Sequence, residues 1–218
     1  MTETKVRNQY DRMAGAYDQR WSNYVTNTLS FLKTWAQISP QTTVLDIGCG
    51  TGEFERLVLA DYPMQQMVGV DISDRMLAIA RQKLHAYPNV LFHTAPASAL
   101  PFASNSFDVI VSASSFHYFD DPAAALAEMK RVLKPDGTVA ILDWCKDYLL
   151  CRLCDVVLKV VDPAYNQCYT QAEFHQLLNF AGFNICRATK VRFGLVWGLM
   201  VVTATPKVRC TCRGITYE

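Results

Sequence analysis

No stretch of the 218-residue sequence is long and apolar enough to cross a membrane. The longest apolar run, around Val196 to Val202, is short and interrupted by Gly198. Neither sign of charge is in excess: 21 Lys and Arg face 20 Asp and Glu, for a formal net charge of +1. That balance leaves no electrostatic footprint for nucleic acid. The opening residues, MTETKVRNQYDRMAGAYDQRW, contain no apolar signal core, so the expected compartment is the cytoplasm. There the eight cysteines are expected as free thiols, ligands or catalytic groups rather than disulfides. No internal repeat or low-complexity segment occurs. Apolar residues are abundant, at 50% of the chain, enough for a full core in one domain over residues 1–205. The polar end, 206–218, reads as a flexible tail.

Strand and helix patterns alternate along most of the chain. A helix is expected from roughly Trp21 to Ala36, within a lid segment 1–38, and Ser39 to Gln41 breaks it. TVLDIG reads as a buried strand because a short apolar run ends in glycine. A helix follows from Glu53 to about Ala60, then a strand from Met67 to Asp71. Ser73 can cap the next helix, whose Met76, Leu77, Ala80 and Leu84 share one face. VLFHTA and FDVIVSAS are further strands. Pro122 opens a helix expected to close near KPDG, and TVAILDW is the fifth strand. Residues 144–170 form a Cys- and Tyr-rich insertion. A capped helix then ends at Gly182, and two apolar strands follow, from Ile185 to Phe193 and from Trp197 to Thr205. The alternation implies an α/β, Rossmann-like, doubly wound sheet of seven strands, mostly parallel, with an antiparallel edge hairpin. Ligands of such sheets sit at the carboxyl ends of strands near the switch point.

The turn after the first strand, DIGCGTGE, lies at that point. Gly48, Gly50 and Gly52 are spaced G-x-G-x-G, whereas the dinucleotide fingerprint G-x-G-x-x-G needs glycine where Glu53 stands. Asp46 and Glu53 would repel a pyrophosphate and suit a ligand with positive charge. Asp71, at the end of the second strand, can accept both hydroxyls of a ribose. A nucleoside with a cationic, amino-acid-like extension meets these demands, and S-adenosylmethionine is such a molecule.

Five ordered stretches carry a resemblance: YDRMAGAYD, VLDIGCGTGEF, VGVDISDRMLAIAR, ALPFASNSFDVIVSASSFHYFDD and PAAALAEMKRVLKPDGTVAI. From Tyr10 to about Phe183 the chain resembles class I S-adenosylmethionine-dependent methyltransferases, most of all the small-molecule branch with the ubiquinone and menaquinone biosynthesis enzymes. The resemblance implies that Asp46, Gly48, Cys49, Gly50 and Gly52 hold the methionine end of the cofactor. It implies that Asp71 binds the ribose, Ile72 packs on the adenine, Ala97 offers its backbone N–H to an adenine nitrogen, and Ser112 or Ala113 lines the methionine moiety. Tyr17 would lie in the lid near the sulfonium. Where the family carries an acidic residue for the adenine amino group, this chain has Pro96, so that group is expected to meet backbone, water or Ser98.

The acceptor is a small molecule, with no nucleic-acid partner and no oligomeric state legible. A carbon or hydroxyl acceptor needs a base, and His117 and Tyr17 are the candidates, with Tyr118 and Asp143 nearby. Phe116, Tyr118 and Trp144 are candidate walls for an apolar acceptor. Cys145, Cys151 and Cys154 follow the fifth strand; in a helix, 151 and 154 share a face. Converging thiolates would suit a soft acceptor such as arsenite, as in arsenite methyltransferases, although the spacing matches no zinc pattern and no metal site is expected. A protein that binds S-adenosylmethionine without catalysis is the remaining alternative.

Overall fold

The computed structural model describes residues 2–162, 164–193 and 197–207. Helix α1 runs Thr2–Ala36, well before the expected start at Trp21. It contains no proline and a single Gly15 that meets nothing within 4 Å. Its buried positions, Val6, Ala14, Val25, Leu32 and Ala36, fall on one side at helical spacings. That line is too sparse to stand out against the polar residues between.

Strands β1 (Thr43–Ile47), β2 (Gln66–Asp71), β3 (Val90–Thr94), β4 (Phe107–Ala113), β5 (Leu133–Trp144), β6 (Phe183–Phe193) and β7 (Trp197–Pro206) form one sheet in the order β3-β2-β1-β4-β5-β7-β6. The first five are parallel, and β7 and β6 are antiparallel at one edge. The expected sheet is therefore the observed one. Of the expected tail, Pro206 ends β7, and residues 208–218 lie outside the described residues.

Alternation along the strands sorts the core onto two faces. Val44, Val109, Val111 and Leu142 pack with α1, with α2 (Glu53–Asp61) and with α3 (Asp74–Lys83). Leu45, Ile110 and Ile141 pack with α4 (Pro122–Val132) and α6 (Gln171–Phe180). The caps are those the sequence announces. Ser73 accepts from the Met76 N–H, Asp121 from that of Ala124, and Thr170 and Glu173 form a capping box.

KPDG does not end α4 as a turn. β5 begins at Leu133, and pairing with β4 jumps from Phe107↔Leu133 to Val109↔Thr138. The residues between bulge out of the ladder, which accommodates Pro135, a residue with no N–H to donate. The insertion holds α5 (Leu149–Val161), and its two ends are clipped by a bridge between Cys145 and Tyr169.

Candidate functional site

β1 pairs with both β2 and β4, so the chain reverses its winding there and a crevice opens past the strand ends. The glycine turn occupies it. Gly48 and Gly50 have φ of +78° and +54°, which L side chains rarely adopt. A Cβ on Gly48 would come within 2.6 Å of Ser115, whereas one on Gly50 would project into open space at the cleft wall. The Gly50 N–H donates to Asp71 Oδ2 at 2.9 Å, and the Ser73 N–H to Asp71 Oδ1 at 2.8 Å. Burial pushes the Asp71 carboxyl up, and the Ser73 and Gly50 amides partly offset it.

Gly48, Gly50, Asp71, Ile72, Ala97 and Tyr17 line one cleft. Asp46 and Cys49 do not reach it; they line a smaller recess beneath the turn, which shares Tyr17, Gly48 and Gly50 with the cleft. Burial holds the Asp46 carboxyl above its ordinary range, with Glu55 and Asp71 adding repulsion. Gly52 lines neither: a Cβ there would meet Ala80 at 3.1 Å, so it is the residue that lets the start of α2 close on α3. Ser112 is also corrected. It is fully buried and its hydroxyl is bonded to Ser115 at 2.7 Å; of the two alternatives it is Ala113 that lines the cleft, together with Ser114. Beside Pro96 the cleft gains a carboxylate from α1: Glu3 lines it and accepts from the Ser98 hydroxyl at 3.3 Å.

A second cavity, of about 490 Å³, lies between α1 and α5. Tyr10, Tyr17, Ser114 and Tyr118 line both spaces, so the two adjoin there. Its walls are aromatic. Tyr24 and Trp197 lie 4.9 Å apart, Trp144 and Trp197 5.3 Å, and the His117 ring stacks on Trp144 at 4.6 Å and 15°. Tyr24 is fixed by Ser114 at 2.7 Å and by the Trp144 indole N–H at 3.0 Å.

His117 sits in a short 3₁₀ turn, Phe116–Tyr118, after β4. Its Nδ1 lies 2.6 Å from Asp143 Oδ1, and its backbone N–H donates to Asp143 Oδ2 at 3.0 Å. Asp143 Oδ1 also accepts from the Trp144 N–H at 2.6 Å. A carboxylate at Nδ1 selects the tautomer protonated there and leaves the Nε2 lone pair free. Nε2 is buried with no hydrogen-bond partner among the described residues, on a side chain that lines the cavity.

The family described as "Methyltransferase domain" matches residues 45–141. The chain is 32% identical over 153 residues to the demethylmenaquinone methyltransferase of Chlorobaculum parvum, covering 65% of this chain and 61% of that protein. It is 33% identical over 151 residues to the 2-phytyl-1,4-naphtoquinone methyltransferase of Thermosynechococcus vestitus, covering 65% of each. Among solved structures, the YcgJ protein of Bacillus subtilis superposes with a TM-score of 0.72 at 19% identity, covering 84% of this chain and 99% of that one. The chain carries a class I S-adenosylmethionine-dependent methyltransferase domain. The matched part spans less than two thirds of these two quinone-methylating relatives.

The methyltransferase cleft fits S-adenosylmethionine on its own chemistry. Gly50 leaves room where a side chain would stand, and Asp71 presents at the wall a carboxyl group that can accept from ribose hydroxyls. Tyr17 reaches the junction of cleft and cavity, but burial pushes its phenol far above the usual range, so it is a neutral donor there and not a base.

The expected acceptor residues divide. Tyr118, Trp144 and Cys154 line the cavity. Phe116 does not; it is buried in the core against Phe119, Tyr169 and Phe174. Cys145 is buried under the insertion with its thiol pushed up to about 11, first by burial. Cys151 is buried and donates its S–H to the Gly198 carbonyl at 3.2 Å. Cys154 is therefore the one expected cysteine of the three on the cavity wall. No three His, Cys, Asp or Glu among the described residues gather as a metal-binding set. Sequence reasoning missed Glu3, Tyr24 and Trp197 as site residues. The aromatic spacing of the first helix was the available signal for Tyr24; nothing local marks Glu3 or Trp197.

Proposed function

We propose that this domain methylates a quinol-type aromatic acceptor held in the cavity between α1 and α5, with His117 as general base. The observation that carries the reading is the His117–Asp143 pair: an imidazole of the cavity lining with one nitrogen fixed by a carboxylate and the other buried without a hydrogen-bond partner among the described residues. The aromatic lining suits a flat ring, and the names of the similar quinone methyltransferases agree with it.

Bound S-adenosylmethionine supplies an electrophilic methyl group on a sulfonium. Asp71 and the glycine turn hold its nucleoside and amino-acid parts. Tyr17, Tyr118 and Ser114, shared by both spaces, orient the acceptor toward the cleft and exclude water. His117 Nε2 takes a hydroxyl proton from the acceptor, which raises electron density on the ring carbon or oxygen that accepts methyl. Asp143 stabilises the imidazolium that results. Its two oxygens are already satisfied by the His117 and Trp144 N–H groups, so it keeps its position through the proton transfer.

A soft acceptor bound by thiolates has weaker support, since Cys145 and Cys151 stand away from the cavity and burial holds both thiols protonated. The test is transfer of labelled methyl from S-adenosylmethionine to a tail-less 1,4-naphthoquinol, set against arsenite. Turnover on the quinol that His117→Asn abolishes supports the reading. Turnover on arsenite alone would overturn it.

A further inference from the structure

Helix α5 is turned inside out relative to a helix on a water-facing surface. Leu149, Leu153, Val156, Val157, Val160 and Val161 are all more than half exposed, from 53% for Val157 to 83% for Val160. At about 100° per residue these side chains fall on one arc. The opposite arc holds Cys151 and Asp155, which face the protein. An apolar arc of this length in water calls for a cover.

The arc is continuous with the acceptor cavity. Leu150, Leu153 and Val157 line its mouth, beside Met13 and Trp21 of α1. The exposed charges within the helix are of one sign, while Asp162, its C-cap, lines the cavity and accepts from the Gln9 side chain. Arg152 and Lys159 lie seven residues apart on the edge of the arc, both exposed, and the sole acid of the helix, Asp155, is buried. Lys159 bonds Asp155 at 3.0 Å, while the Arg152 guanidinium has no partner among the described residues. Arg20 lines the same cavity, and Arg192 covers Tyr148, just before α5, at 4.8 Å.

We propose that α5 lies in the headgroup layer of an anionic lipid surface, with its apolar arc in the acyl boundary and Arg152 and Lys159 at the phosphates. An apolar face flanked by basic residues is the pattern of an in-plane interfacial helix. The docked face places the cavity mouth against the lipid, so a lipophilic acceptor enters without crossing water. A second copy seated on the same arc would instead seal the mouth. The choice of a lipophilic acceptor rests on the quinol reading above; the docking itself does not.

The experiment is co-sedimentation of the full chain with vesicles of phosphatidylcholine alone or mixed with phosphatidylglycerol. The parent should pellet with the anionic vesicles. The double variant Val156→Glu, Val160→Glu should lose at least tenfold in partitioning. Neither residue lines the cleft or the cavity, so its affinity for S-adenosylmethionine and its turnover of a tail-less quinol should match the parent's, which also shows that it folds. Failure of the parent to bind anionic vesicles, or equal binding by the variant, overturns the proposal. Self-association without lipid that the variant abolishes overturns it as well, by assigning the arc to a second copy. Vesicle binding without quinol turnover supports the docking and counts against the acceptor reading; turnover without vesicle binding does the reverse.

Discussion

Asp143 holds His117 twice, by the ring at 2.6 Å and by the backbone N–H at 3.0 Å. One carboxylate thus fixes both the tautomer of the proposed base and the turn that carries it. Asp143→Asn should lower kcat by about 10²–10⁴-fold, with KM for the acceptor and affinity for the cofactor nearly unchanged. Steady-state kinetics together with calorimetry check this. A variant with parental kcat would remove His117 from the base role.

Asp71 binds two backbone amides of the turn and faces the cleft. Asp71→Ala removes a charged acceptor, a loss of about 1.5–3 kcal/mol, so cofactor affinity should fall roughly tenfold or more. Because burial raises this carboxyl, affinity should also weaken as pH falls, when protonation removes the acceptor earlier than for an exposed aspartate. Titration calorimetry at pH 5 and pH 7.5 reads both effects, and pH-independent affinity would contradict the assignment.

Glu3 brings the first turn of α1 to Ser98, at the end of the cleft where Pro96 replaces the family's acidic residue. A carboxylate there favours an amino group over a carbonyl on the purine. Glu3→Gln should weaken S-adenosylhomocysteine several-fold and narrow its preference over the deaminated, inosine analogue. Unchanged discrimination between the two ligands would show that backbone, water or Ser98 reads the adenine, as the sequence alone suggests.

Glu55 is buried at the sheet face with neither carboxylate oxygen bonded among the described residues, and burial pushes it up to about 8 from an ordinary 4.5. Between those values the folded chain binds a proton that the unfolded chain has lost, so stability declines as pH rises through that window. Glu55→Gln should flatten the decline and be more stable than the parent near pH 8. Denaturant melts at pH 5.5 and 8 test this; an unchanged slope would place the titration elsewhere.

The cofactor turn was legible because its physics is local: three glycines, an acid before them and an acid at the next strand end. The His117–Asp143 pair was legible only as two separate candidates, since 26 residues separate them and only the β4–β5 pairing brings them together. Adjacent Phe116 and His117 look alike as cavity residues; the 3₁₀ turn sends one into the core and the other to the cavity. The cysteines failed for a different reason. Their helical spacing is right, but α5 turns Cys151 onto the Gly198 carbonyl of β7 and leaves Cys154 beside Leu153 and Val157 at the cavity, so the two do not converge on one site. In α1, polar composition hid a continuous helix whose buried line is only a few residues wide.

The fastenings of α1 differ along its length. Beyond Val25 it is rooted by Leu32 and Ala36 in the core, by the Trp35 indole on Thr203 and by Arg187 over the Trp35 ring. Toward its start, buried Val6 and Ala14 are joined by polar pairs: Asp18 with Thr51 and Lys83, Asp11 with Ser73, and Gln9 with Asp162. Water can replace those ties, but not the root. The helix is a rod of about 50 Å at its usual rise, and its loosely tied half roofs both the cleft and the cavity. One helix thus walls two spaces, so a change in its first half touches both at once.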